Sequence, residues 1–225
     1  LQLTDLHLGF GFISRKKDKL ALNAVTKIIH KAKPDMIVLN GDSIFPFLPK
    51  AGTLNNRKQA YKLMKFMDSF AIPYTLVFGN HDCEMGSTCN KEELAQIYKK
   101  GKYCIFTEGR KELTGVGNFF INLTGSDGGW FYSGFDRIHD DQVEWCMNRL
   151  NDLKKCNPDI KAMAFFHMPP AEFKEAYRKM KLGDKSVIYQ HGSIAEKNEH
   201  FGISKFEGTF FNKEVENGVL KWMFC

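Results

Sequence analysis

Apolar positions in the first hundred residues alternate between two periods. Leu22, Val25, Ile29 and Ala32 recur on one helical face behind Asp18, which reads as the N-cap, and Pro34 closes that helix. Met36-Ile37-Val38-Leu39-Asn40 is then a buried strand, Arg57 to Phe70 returns to helical spacing, and Tyr74 to Phe78 is the next strand. A weaker helix is expected from Glu92 to Lys99. Such alternation predicts βαβ units around a largely parallel sheet.

After residue 102 the pattern changes. Shorter strands near Tyr103 to Phe106 and Asn118 to Asn122 stand among Gly-rich turns and predict a second sheet. Asp141 to Leu153 is amphipathic through Val143, Cys146, Met147 and Leu150, and Ala162 to Phe166 is another buried strand that ends at His167. From Pro170 to Asn217 the chain is polar, rich in Lys and Glu, and predicts a long lid or excursion. Leu1 to Asp5 reads as the second half of a strand and Gly218 to Cys225 as a strand that stops without a loop, so both ends are expected to be cut. No internal repeat is present.

Composition narrows the class without naming a function. With 43% hydrophobic and 26% charged residues over 225 positions, the chain is expected to form one folded domain, residues 1–225, and not a disordered segment. No apolar run approaches the ~18 residues of a spanning helix, so no membrane span is expected. The net charge of +6 is spread along the chain, and its densest cluster, Arg15-Lys16-Lys17, is followed at once by Asp18. That cluster reads as a solvated loop, and no nucleic-acid partner is expected. None of the six cysteines shows paired C-x-x-C spacing, although Cys83 and Cys89 could close a short loop. The sequon Asn122-Leu123-Thr124 permits glycosylation, and tips the expected location towards the secretory or extracellular space.

Four polar clusters stand at the carboxyl ends of apolar strands: Asp5-Leu6-His7, Gly41-Asp42, Gly79-Asn80-His81-Asp82, and His167. Open α/β sheets place ligands at those ends. Taken singly, each has a plain structural reading: Asp5 as a cap, Gly41-Asp42 as a turn, Asn80 in a left-handed turn, His167 in the core. Gly-Asn-His-Asp is the specific signal, since composition alone predicts roughly 0.002 occurrences. Carboxylates, imidazoles and an amide oxygen together suit Zn, Mn or Fe, and two ions sharing a carboxylate fit best.

A rival lies in Cys104-Ile-Phe-Thr-Glu-Gly-Arg110, which has the C-x5-R spacing of a thiolate phosphatase. Bulky Ile105 and Phe106 would obstruct the backbone cradle that such a loop needs. No G-x-x-x-x-G-K-[ST] is present. His30 and His139 read as surface or packing residues, whereas His191 and His200, in the polar excursion, could line a substrate cleft.

In order and spacing these clusters resemble the calcineurin-like metallophosphoesterases, whose motifs are Asp-x-His, Gly-Asp, Gly-Asn-His-Asp/Glu, a lone His and a final Gly-His-x-His. The resemblance runs from residue 1 to 225, and Gly115 to Asn118, Gln142 to Trp145 and His167 to Pro170 further resemble a branch related to purple acid phosphatases. It implies an α/β fold, a four-layer α/β/β/α sandwich of two mixed sheets. It also implies that Asp5 and His7 bind one metal, Asp42 bridges two, and Asn80 and His167 bind the second. His81 is then the acid that protonates the leaving oxygen, and Asp82 a partner that orients a ligand or His81. The implied cofactors are two divalent or trivalent transition-metal ions, Fe, Mn or Zn.

The implied activity is hydrolysis of a phosphate ester by a metal-bridging hydroxide, on a phosphorylated small molecule or phosphoprotein, with monoesters favoured. A phosphodiesterase of the same fold and an inactive scaffold that binds protein partners are the alternatives. Three departures from the family pattern are visible. Phe45 stands where purple acid phosphatases carry a tyrosinate ligand, the final Gly-His-x-His is absent, and Leu123 to Arg137 is shorter than usual.

Overall fold

The computed structural model describes residues 1–83, 86–121, 138–188 and 209–225, together with the backbone of 129–132. The first sheet holds β1 (Gln2–Leu3), β2 (Ile37–Asn40) and β3 (Tyr74–Val77) in the order β1-β2-β3, all parallel. β2 and β3 are buried at every position, which is why they read as unbroken apolar runs without alternation.

Helices cover this sheet through regular apolar stripes. In α1 (Arg15–Ala32), Val25 and Ile29 are buried. Ala60, Leu63, Met64 and Met67 do the same from α3 (Asn56–Asp68), at the i, i+3, i+4, i+7 spacing of one helical face. The next helix, α4 (Lys91–Tyr98), opens with a reciprocal cap. Asn90 Oδ1 accepts from the Glu93 N–H at 2.8 Å, and Glu93 Oε2 accepts from the Asn90 N–H at 3.1 Å.

The second sheet, in the order β4-β5-β6-β7, joins β4 (Phe120–Ile121), β5 (Gly129–Tyr132), β6 (Ala162–Phe166) and β7 (Leu220–Phe224). Only the β4–β5 pair is antiparallel. The expected α/β architecture of two sheets with flanking helices is therefore present. Among the described strands, its mixed character lies in the second sheet alone. Against that sheet, α5 (Asp140–Cys156) buries Val143, Cys146 and Leu150. Within the second sheet the paired Phe165 and Phe224 stack at 4.7 Å, and from the first sheet Asn40 Nδ2 donates across to the carbonyls of Phe166 (3.2 Å) and Phe224 (3.3 Å).

Several local expectations are corrected. Asp18 does not cap α1, which starts four residues earlier behind Ser14, so Arg15-Lys16-Lys17 is the first helical turn and not a loop. The Asp18 carboxylate is instead taken by the chain before the helix: it accepts from the N–H of Gly9 (3.0 Å) and Phe10 (2.8 Å) and from the Ser14 hydroxyl (2.7 Å). A short helix at Leu48–Ala51, α2, lacked the length to show a periodicity in the sequence. The polar stretch after Pro170, expected as a long excursion, contains two helices among its described residues, α6 (Ala171–Lys181) and α7 (Phe210–Asn217). Cys83 and Cys89 are both free thiols. The sequon at 122–124, His191 and His200 lie outside the described residues, and so does most of 123–137. No helix among the described residues is long and apolar enough to cross a membrane.

Candidate metal centre

The carboxyl ends of β1 and β2 run on together after the strands stop. Asp5 N–H donates to the Gly41 carbonyl (3.2 Å), His7 N–H to that of Asp42 (2.9 Å) and Leu8 N–H to that of Ser43 (3.1 Å). Along this seam Asp5, His7 and Asp42 all hold left-handed backbone, with φ of 55°, 47° and 49°. Such conformations cost roughly 1–2 kcal/mol each for residues with a Cβ, and they cluster where surrounding structure over-determines the chain.

Two glycines admit the side chains that meet here. A Cβ on Gly79 would run into Asp42 Oδ1, and one on Gly41, itself at φ 87°, would run into the His167 imidazole. The Gly-Asp and Gly-Asn-His-Asp signals thus have a steric origin, because the three strand ends approach too closely for larger residues.

Asp42 is the focus of the cluster and is buried. Its Oδ2 lies 3.1 Å from His167 Nε2, 3.5 Å from His7 Nε2 and 3.9 Å from His81 Nε2. Its Oδ1 accepts from the His81 backbone N–H at 2.8 Å. Asp5 Oδ1 lies 3.5 Å from His7 Nε2. The side-chain donors form two groups, His7 with Asp42 and His81, and Asp5 with Asp42 and His167; within each group the ligating atoms are all within 4.8 Å of one another. Asp42 belongs to both. Asn80 is half-buried in the same turn, immediately before His81.

The structure therefore gathers Asp5, His7, Asp42, His81 and His167, from four separate stretches of sequence, around one carboxylate. It also brings the His81 ring to 5.2 Å from that of His7 between centroids. The sequence reading missed Asn40, whose backbone carbonyl lies 3.1 Å from His167 Nδ1. That bond fits a proton on Nδ1, so that loss of the Nε2 proton to a metal would turn its lone pair towards the cluster, the arrangement usual for a ligating histidine. Because the contact is through a backbone carbonyl, the residue type gave no signal for it.

Asp82 has a role the sequence could only bracket. It is 2% exposed, and it accepts from three backbone N–H groups: Asp42 at 3.1 Å, Ile44 at 3.0 Å and Gly79 at 2.6 Å. It orients a candidate ligand through that ligand's backbone and welds the end of β2 to the end of β3. Burial pushes its carboxyl up, and the amide donors at Ile44 and Gly79 pull against that. Asn56 secures the same turn, donating from Nδ2 to the Asp82 carbonyl at 3.1 Å and the Cys89 carbonyl at 2.7 Å.

Asp82→Asn would turn an amide N–H towards these donors and leave at least one of them unmet. A loss of about 2–4 kcal/mol in unfolding free energy is expected, read as a lower urea midpoint at unchanged m-value, together with weaker metal affinity by about 10–100-fold. Wild-type stability in this variant would mean that the weld is unimportant.

The electrostatics are those of an acidic centre balanced by imidazoles. Burial opposes ionisation of Asp42, yet hydrogen bonds from His167 and His7 hold its carboxyl well below the usual range. Asp42, and then Asp5, lift His7 to about 9. Burial works against a proton on His167, and Asp42 reverses this and raises it. The His7 imidazolium occupies the electrostatic position that a cation would take, so metal binding to that nitrogen at neutral pH must release its proton. Mixed carboxylate and imidazole donors converging on a shared oxygen fit Zn, Mn or Fe.

Phe45 forms one wall. Its ring meets His7 at 5.2 Å and His81 at 4.8 Å between centroids. The rival Cys104 thiol is pushed up to about 11 by burial, so it stays protonated and is no nucleophile near neutral pH.

A parallel sheet ending in a carboxylate–imidazole cluster, with its glycines placed for close approach, defines an α/β protein with a candidate metal centre at its strand ends. The calcineurin-like phosphoesterase family model matches residues 1–215, and the chain belongs to that family. It is 25% identical to a protein named probable inactive purple acid phosphatase 28 of Arabidopsis thaliana, over 79% of this chain and 54% of that one. It is 24% identical to phosphatase DCR2 of Saccharomyces cerevisiae, over 92% of this chain and 41% of that one. Probable inactive purple acid phosphatase 29 of Arabidopsis thaliana is 26% identical over 89% of this chain and 61% of its own length. The chain spans about half the length of these relatives.

Proposed function

We propose that this chain hydrolyses phosphate monoesters with two transition-metal ions held around Asp42. The observation that carries the reading is the position of Asp42 Oδ2, within 3.1–3.5 Å of imidazole nitrogens on both sides and common to both donor groups. Asp5 and His7 would hold one ion, Asn80 and His167 the other, and Asp42 both. When bound, such ions polarise phosphoryl oxygens and make water a nucleophile near neutral pH.

The chain's own residues supply the rest. Asp42, nearly enclosed and fixed through its backbone by Asp82, keeps the donors preorganised. His81 lies on the open side of the cluster, about a third exposed, where its imidazole can deliver a proton to a departing oxygen. Phe45 keeps water from one flank of both His7 and His81.

A monoester preference draws support from the relative named a phosphatase, and a non-catalytic scaffold from the two relatives named inactive. Metal analysis of the purified protein, with turnover of p-nitrophenyl phosphate and bis-p-nitrophenyl phosphate in Fe, Mn and Zn, separates these readings. The expected result is bound metal and monoester turnover that chelation abolishes and metal restores. A protein that binds no metal and turns over neither ester is a scaffold, and faster cleavage of the diester makes it a phosphodiesterase.

A further inference from the structure

Beside the metal centre lies a cavity of about 210 Å³ lined by His7, Gly9, Ser14, Lys17, Asp18, Phe45, Lys50 and Ala51. That is below the ~300–1,000 Å³ of a drug-sized pocket and suits a single compact group. It opens directly from the candidate site, because His7 and Phe45 wall both. Lys17 enters from the first turn of α1 and Lys50 from α2. Lys50 Nζ stands 5.4 Å from the Phe45 ring centroid, so the same ring meets both the imidazoles of the metal centre and an ammonium. Neither lysine forms an ion pair with a carboxylate among the described residues.

The one carboxylate in the lining, Asp18, offsets one of the two ammonium charges and leaves the lysines in excess. It is 6% exposed and saturated by the Gly9 and Phe10 amides and the Ser14 hydroxyl. The cavity is thus cationic, floored by already satisfied polar groups, and set beside the reacting centre.

We infer that this cavity is a subsite for a second phosphate group on the substrate, and that Lys17 and Lys50 select doubly phosphorylated small molecules over simple monoesters. The inference rests on the phosphoesterase reading for the first phosphate. It also gives a function to Lys17 of the Arg15-Lys16-Lys17 run, which the sequence offered only as a solvated cluster. One phosphate would lie at Asp42 while the second, past His7 and Phe45, takes charge-assisted hydrogen bonds from both ammonium groups. Singly phosphorylated substrates leave the subsite to water.

The test is direct binding to the metal-loaded protein, with metal in excess, of propylphosphonate and propane-1,3-bisphosphonate, which cannot be hydrolysed. Wild type is expected to bind the bisphosphonate on the order of 10–100-fold more tightly. The ratio should collapse towards one in Lys17→Met/Lys50→Met and persist in Lys17→Arg/Lys50→Arg, which keeps both charges. Equal binding of the two ligands by wild type, or an unchanged ratio in the methionine variant, overturns the subsite. Turnover of p-nitrophenyl phosphate is followed in parallel. If wild type turns over none, the phosphoesterase reading falls, and the binding ratio still decides the subsite.

Discussion

Asp42→Asn is expected to remove bound metal and activity together, lowering kcat/KM by on the order of 10³-fold or more. One carboxylate is common to both donor groups, with its Oδ2 3.1 Å from His167 Nε2 and 3.5 Å from His7 Nε2. The substitution takes away the negative charge that both ions would share, and metal-based stabilisation of a phosphoryl transition state amounts to several kcal/mol, each 1.4 kcal/mol being tenfold. Asparagine is close in shape to aspartate, so the His81 amide keeps an acceptor and the fold should survive. Metal content by elemental analysis, alongside circular dichroism and turnover, checks this. Two bound ions and normal turnover in Asp42→Asn would require a different ligand set.

His81→Ala is expected to keep the metal content and lower kcat by about 10²–10⁴, the usual worth of a positioned acid. The loss should shrink for good leaving groups, which need no proton, so p-nitrophenyl phosphate should suffer less than an alkyl phosphate. This variant also resolves a question posed by the geometry. His81 Nε2 lies 3.9 Å from Asp42 Oδ2 and groups with His7, close enough to serve as a ligand. If His81→Ala loses one equivalent of metal and is equally slow with both esters, His81 belongs to the coordination sphere and another group donates the proton.

The main strands and helices were legible in the sequence because burial on both faces or on one stripe leaves a one-dimensional trace. Ile37–Asn40 and Tyr74–Val77 appear as apolar runs, and α3 as its i, i+3, i+4 stripe. Asp5, His7, Asp42, Asn80, His81 and His167 stood out for a related reason. A parallel sheet exposes only its strand ends, so polar residues after buried runs accumulate on one rim. What left no such trace was anything decided by a single contact. The start of α1 moved because Asp18 serves the amides of Gly9 and Phe10, and no periodicity encodes that bond.

By itself the chain determined the order of its elements, the family to which its motifs belong and the residue types available for chemistry. Those are properties of local patterns, and they survive being read along a line. Only the tertiary structure decided how near Asp42 Oδ2 comes to His7, His81 and His167, that Asp82 acts on backbone amides and not on a ligand side chain, and that Lys50 comes to stand against Phe45 beside the site. Asp42 meets His7, His81 and His167, which lie 35, 39 and 125 positions away along the chain, and the identity of such partners depends on how the two sheets and their connecting turns close in space. Hydrogen bonds and Coulomb interactions of this kind fall off within a few ångströms, so a displacement of one turn would reassign them without altering the hydrophobic pattern at all.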